Sequence, residues 1–143
     1  MNIIELINEK FPKLFITELT DNNLRFRPEN DEGFIEYKRT LTHCDDSKIE
    51  QYATQMKWRI MQNLKKQRAI YYIGIDDNGT IVGLSQNDII ESVSCFVKIA
   101  NIIGASIIGV RLIYIENLTI IKIGVIIKKI KDDFYFDVSD ESD

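Results

Sequence analysis

Histidine occurs once in this chain, at His43, and cysteine twice, at Cys44 and Cys95. Without borrowed carboxylates these three cannot assemble a tetrahedral zinc site, so a structural zinc is not expected. The cysteines are far apart in sequence and show no paired spacing, which favours two reduced thiols over a disulfide. No apolar run reaches the roughly 18 residues that a spanning helix needs, because Lys122, Lys128 and Lys129 interrupt the isoleucine-rich region. The start, MNIIELINEKFPK, has Glu5 and Glu9 among its apolar residues and no cationic lead, so it does not read as a signal peptide. A soluble, cytoplasmic protein is the expectation. There is also no GxxxxGK[ST] loop, so the DxxG match at Asp76–Gly79 has nothing to hold a nucleotide's phosphates. A calcium loop fails too: setting Gly79 at its sixth position puts Gly74 first and Ser85 twelfth, where acids are required.

What is present fits one domain, with 143 residues, 45% of them hydrophobic and 28% charged. The net charge of -4 is unevenly placed. Residues 132–143, DDFYFDVSDESD, hold six acids and no base, and we read 1–131 as the α+β domain and 132–143 as an acidic tail. Within the body, KWRIMQNLKKQR carries Lys57, Arg59, Lys65, Lys66 and Arg68 and no acid. It is either one solvated helix face or a patch that contacts phosphates.

Periodicity gives the order αβαββαββ, a mixed or antiparallel sheet with two main helices, and a further strand could form at FYFDV. A short entry helix covers residues 2–9 before Pro12. A strand is expected over Phe34–Leu41. The main helix, over 48–67, is capped from Asp45–Ser47, with Met56, Ile60 and Leu64 turned to the sheet. Asn78-Gly79 predicts a hairpin joining Tyr72–Ile75 to Ile81–Leu84, because both turn residues tolerate positive φ. Gly74 suggests a close approach to that strand. A second helix runs from Ser85 or Asn87 to about Ile103 and stops at Gly104. The region after it reads as a long antiparallel pair broken at Glu116-Asn117.

Two constellations carry potential chemistry. Asp31, Glu32 and Glu36 precede or sit on one strand and Asp76 and Asp77 end another; if those strands are neighbours, the acids could hold a divalent metal, with Lys38 nearby. The alternative is surface turns plus a Glu36–Lys38 salt bridge. Trp58, between Lys57 and Arg59, reads as a half-buried core residue rather than a base-stacking platform.

The stretches EGFIEYKRTL, YATQMKWRIMQ and YYIGIDDNGTIVGLS, followed by a helix and GASIIGVRL, resemble the N-terminal region of the eukaryotic GTP-binding protein family of translational GTPases, relatives of elongation factor one alpha. Glu36–Lys38, Thr54–Arg59 and Gly74–Gly79 are the most specific matches, within a span from residue 32 to about 111. In that family a GTPase domain follows this region. The resemblance implies a non-catalytic accessory domain, or a free-standing relative, that contacts the ribosome, transfer or messenger RNA, or a decay-factor protein. Under it, Lys57, Arg59, Lys65, Lys66 and Arg68 are the RNA-binding candidates. No cofactor is expected on this chain, with GTP and magnesium only where a GTPase domain follows. The EYK and GIDDxG pair also looks like the AlbA-like domain of Schlafen proteins. That alternative implies a magnesium- or manganese-dependent endoribonuclease using Asp31 or Glu32, Glu36, Lys38, and Asp76 or Asp77, although NLKKQRA stands where Schlafens have a Gly-Gly pair. A third reading is a protein-interaction module that uses the acidic tail.

Overall fold

The computed structural model describes residues 2–127. Lys128, Lys129, the acidic tail and the FYFDV strand expected within it lie outside the described residues. The elements are α1 (Ile3–Lys10), β1 (Ile16–Thr20), β2 (Ile35–Lys38), α2 (Asp46–Met61), β3 (Arg68–Ile73), α3 (Gln86–Ile102), β4 (Ser106–Ile115) and β5 (Leu118–Ile126). The five strands form one mixed sheet in the order β1-β4-β5-β3-β2, parallel at its two outer pairs and antiparallel inside. The α+β class expected from the sequence holds. Among the described residues no helix is long and apolar enough to cross a membrane.

The element order differs from the expectation in two places, a strand gained before β2 and one lost after β3. Ile16–Thr20 is a strand, unforeseen because its residues are mostly exposed at the sheet edge and do not alternate cleanly. The expected pairing of Tyr72–Ile75 with Ile81–Leu84 does not form, since β3 already has β2 on one side and β5 on the other. The turn itself is present. Gly79 N–H donates to Asp76 O at 2.8 Å, Asp76 N–H to Thr80 O at 2.9 Å, and a single bridge joins Ile75 to Ile81. The chain then crosses over Gly74, whose carbonyl accepts from Val82 and Gly83. A Cβ on Gly74, at φ +108, would stand 3.0 Å from Ile120 and 3.3 Å from Leu84, which is the close approach its presence implied.

Helix ends follow their caps. Asn2 and Glu5 form a reciprocal box on α1, Asp45 accepts from Lys48 N–H at the start of α2, and Ser85 accepts from Asp88 N–H at the start of α3. Met56 and Ile60 are fully buried in the core between the helices and one face of the sheet. Leu64 is not: α2 ends at Met61, and Leu64 lies in the following turn, 72% exposed.

Candidate functional site

Strand alternation sends Glu36 to the helix side of β2, opposite Tyr71 of β3, and there it meets α2. Arg59, 4% exposed, fills the gap. Its Nε donates to Glu36 Oε1 at 2.8 Å, its Nη1 donates to the carbonyls of Asn30 and Gly33 at 3.0 and 2.9 Å, and its Nη2 stands 3.6 Å from Glu29 Oε2. Glu29 in turn accepts from Tyr37 N–H at 2.7 Å. Lys38 Nζ lies 3.5 Å from Glu36, donates to Gln55 Oε1 at 2.9 Å, and sits 4.4 Å from the centre of the Tyr52 ring. One guanidinium thus ties the 29–36 loop and β2 to α2. Burial pushes the Glu29 carboxyl above its ordinary value; Glu36 and Asp77 act in the same direction, against the Tyr37 N–H and Arg59.

Arg59 is therefore absent from the basic face on which the sequence reading placed it. The planar fork suits an interior position because it satisfies two carboxylates and two carbonyls at once. Lys57, Lys65 and Lys66 are exposed, and none of the three is in an ion pair among the described residues. Arg68 starts β3 half-buried, on the sheet face away from the helices. Trp58, expected to be half-buried, is 45% exposed beside Lys57. Met61, 50% exposed, and Leu64 continue that surface toward the lysines.

Of the six residues of the metal constellation, Glu36 and Lys38 meet as a salt bridge and the other four are dispersed. Asp31 and Glu32 are exposed in the loop, Glu36 is engaged by Arg59 and Lys38, Asp76 pairs with exposed Arg39 at 3.3 Å, and Asp77 is exposed at the turn. Among the described residues no three His, Cys, Asp or Glu side chains are grouped as a metal ion would need. The carboxylate that does join Glu36 is Glu29, which sequence reasoning missed. It stands directly after Pro28 in the irregular segment before β2, two and three positions ahead of Asp31 and Glu32, where no periodicity marks which acid turns inward.

The two cysteines, distant in sequence, meet where the loop before α2 packs on α3. Both are free thiols. Burial and the neighbouring Cys44 thiol push the Cys95 thiol up to about 12. His43 is exposed, and its backbone N–H donates to Glu91.

No protein-family model matches the chain, and no solved structure matches it. Over 84 residues, 59% of the chain, it is 37% identical to GTP-binding protein 2 of Mus musculus and of Homo sapiens, where the match covers 14% of each protein. Over 141 residues, 99% of the chain, it is 57% identical to "Uncharacterized protein R625" of Acanthamoeba polyphaga mimivirus, of which the match covers 75%. The chain belongs to the same family as that mimivirus protein.

Proposed function

We infer that the chain is a non-catalytic accessory domain related to translational GTP-binding proteins, and that it contacts transfer or ribosomal RNA through the C-terminal end of α2 and the turn after it. The carrying observation is that Lys57, Lys65 and Lys66 stand exposed without ion-pair partners among the described residues, although acids outnumber bases in the chain by 22 to 18. Lysines so placed release counterions when they meet phosphates. Trp58 beside them offers a face on which a base can stack. The local similarity to GTP-binding protein 2 supports the relation to GTP-binding proteins. The interior network of Arg59, Glu36 and Glu29 serves this reading by fixing α2 against the sheet, which holds the lysines on a rigid base.

The test is the charge-reversed variant K57E/K65E/K66E. All three side chains are exposed and none is in an ion pair among the described residues, so the melting temperature should stay within a degree or two of the parent. Ribosome co-sedimentation and the anisotropy of a labelled transfer RNA should both fall, with affinity lower by tenfold or more. Unchanged binding by a folded variant refutes the reading.

A further inference from the structure

The geometry points to a second RNA-binding surface, an open patch on the sheet face turned away from the helices, which seats an extended single strand; it rests on the reading of this domain as an RNA binder. Alternation divides the sheet into two faces. Ala69, Tyr71, Ile73, Ile121, Ile123 and Val125 point into the main core beneath the helices. On the other face, Tyr72, Ile113 and Ile120 are covered at one end by Leu24, Phe26 and Ile81. Beyond that cover the described residues leave the face open, and it forms a depression of about 280 Å³.

Three cations border it. Lys122 of β5 stands opposite Arg111 of β4, which stands opposite Thr17 of β1, so these side chains share one rung. Two residues along, Ile70 pairs with Gly124 and Gly124 with Gly109, which leaves a low apolar floor, with Ile108 and Phe15 within 3.7 Å of where a Cβ on Gly124 and on Gly109 would stand. Arg68 lies two residues further again, opposite Ile126. The rungs of Arg68 and Lys122 are thus about 13 Å apart at strand rise, with the glycine floor between them. The only acids in the five strands are Glu18 and Glu36, and both belong to the helix side, where Glu18 accepts from Tyr114 and Glu36 binds Arg59.

Among the described residues these cations lack counter-charges: none of Arg68, Arg111 and Lys122 is in an ion pair. Arg68 Nε is buried with no hydrogen-bond partner among them. Arg111 spends Nε on Thr17 Oγ1 at 3.1 Å, and Lys122 lies 5.8 Å from the centre of the Tyr72 ring. A buried donor without an acceptor is costly unless a ligand supplies one. Phe15, at the rim, is 68% exposed. Separated cations, a flat floor and a bare aromatic ring suit a strand of phosphates and bases. Arg68 also lies two residues after Lys66, which joins this face to the lysines of the α2 turn.

The experiment uses the full chain and a labelled twelve-nucleotide oligouridine, read by anisotropy, with R111Q/K122Q, F15A and K57Q/K65Q/K66Q compared. R111Q/K122Q should weaken binding about tenfold or more, with an unchanged melting temperature. It should also lower the slope of log affinity against log salt by about 1.4, at roughly 0.7 per phosphate contact on a single strand. F15A should weaken binding by about tenfold through lost stacking. If R111Q/K122Q and F15A bind like the parent while K57Q/K65Q/K66Q loses binding, the sheet surface is overturned and the proposed function stands. If none of the three changes binding, both fail. Amide shifts at Gly109 and Gly124 produced by a synthetic peptide of residues 132–143, and not by the oligonucleotide, would assign the face to the acidic segment and overturn its role in RNA binding.

Discussion

Replacing Arg59 by alanine should be among the most damaging single changes on α2. The substitution removes the bond to Glu36 at 2.8 Å, the approach to Glu29 at 3.6 Å, and two bonds to the Asn30 and Gly33 carbonyls. It leaves two carboxylates, whose side chains are only 11% and 12% exposed, without Arg59; Glu36 keeps Lys38 at 3.5 Å, and Glu29 has no other ion-pair partner among the described residues. Breaking such a pair from one side costs about 3–5 kcal/mol. At roughly 2–4 °C per kcal/mol for a domain near this size, the melting temperature should drop by about 6–20 °C. Thermal and urea unfolding followed by circular dichroism would measure it. The triple variant R59M/E36Q/E29Q removes the guanidinium and both carboxylates together, leaves Lys38 on Gln55, and should recover part of the loss, because much of the cost of R59A lies in carboxylates left buried without their cation. A loss under about 1 kcal/mol for R59A, or a triple variant worse than R59A, would refute the claim that the network is internally satisfied.

Gly79 holds φ +91, and a Cβ there would lie 2.5 Å from Phe26 O and 2.9 Å from Arg27 O. Gly79→Ala should therefore destabilise by about 2 kcal/mol or more, from left-handed strain plus backbone displacement, and a urea midpoint equal to the parent's would contradict it. Glu29 provides a pH test. Its native pKa is raised, so between 4.5 and that native value the folded state binds more protons than the unfolded one, and stability falls as pH rises through the window. Relative to E29Q, the parent should gain stability as pH is lowered toward 4.5, and urea midpoints with the opposite trend would overturn the assignment.

The helices were legible because each kept an apolar period and a cap: Asp45, Ser85 and the Met56 and Ile60 positions all stand where spacing put them. Strand pairing was less so. Ile16–Thr20 finds its place only because β4 offers an open edge, and Ile81–Leu84 loses its strand because β3 is already paired on both sides. The site misled in a related way. Charge pattern along a helix does not say which cation faces in, and Arg59 is drawn inside by carboxylates 23 and 30 positions earlier in the chain. The stretches that resemble translational GTPases, EYK and QMKWR, are the ones that interlock: Glu36 with Arg59, and Lys38 with Gln55. Much of that resemblance therefore encodes how α2 is fastened to the sheet, whereas the proposed contact surface lies on the neighbouring exposed positions.

The central claim, that exposed lysines at the end of α2 meet RNA phosphates, is tested most directly by the salt dependence of transfer RNA affinity. Measured from about 50 to 200 mM salt, the log–log slope of K57Q/K65Q/K66Q should be shallower than the parent's by roughly 2–3, at about 0.7–0.9 per lost phosphate contact. Equal slopes for the two folded proteins, or a parent whose affinity does not change with salt, would contradict the account.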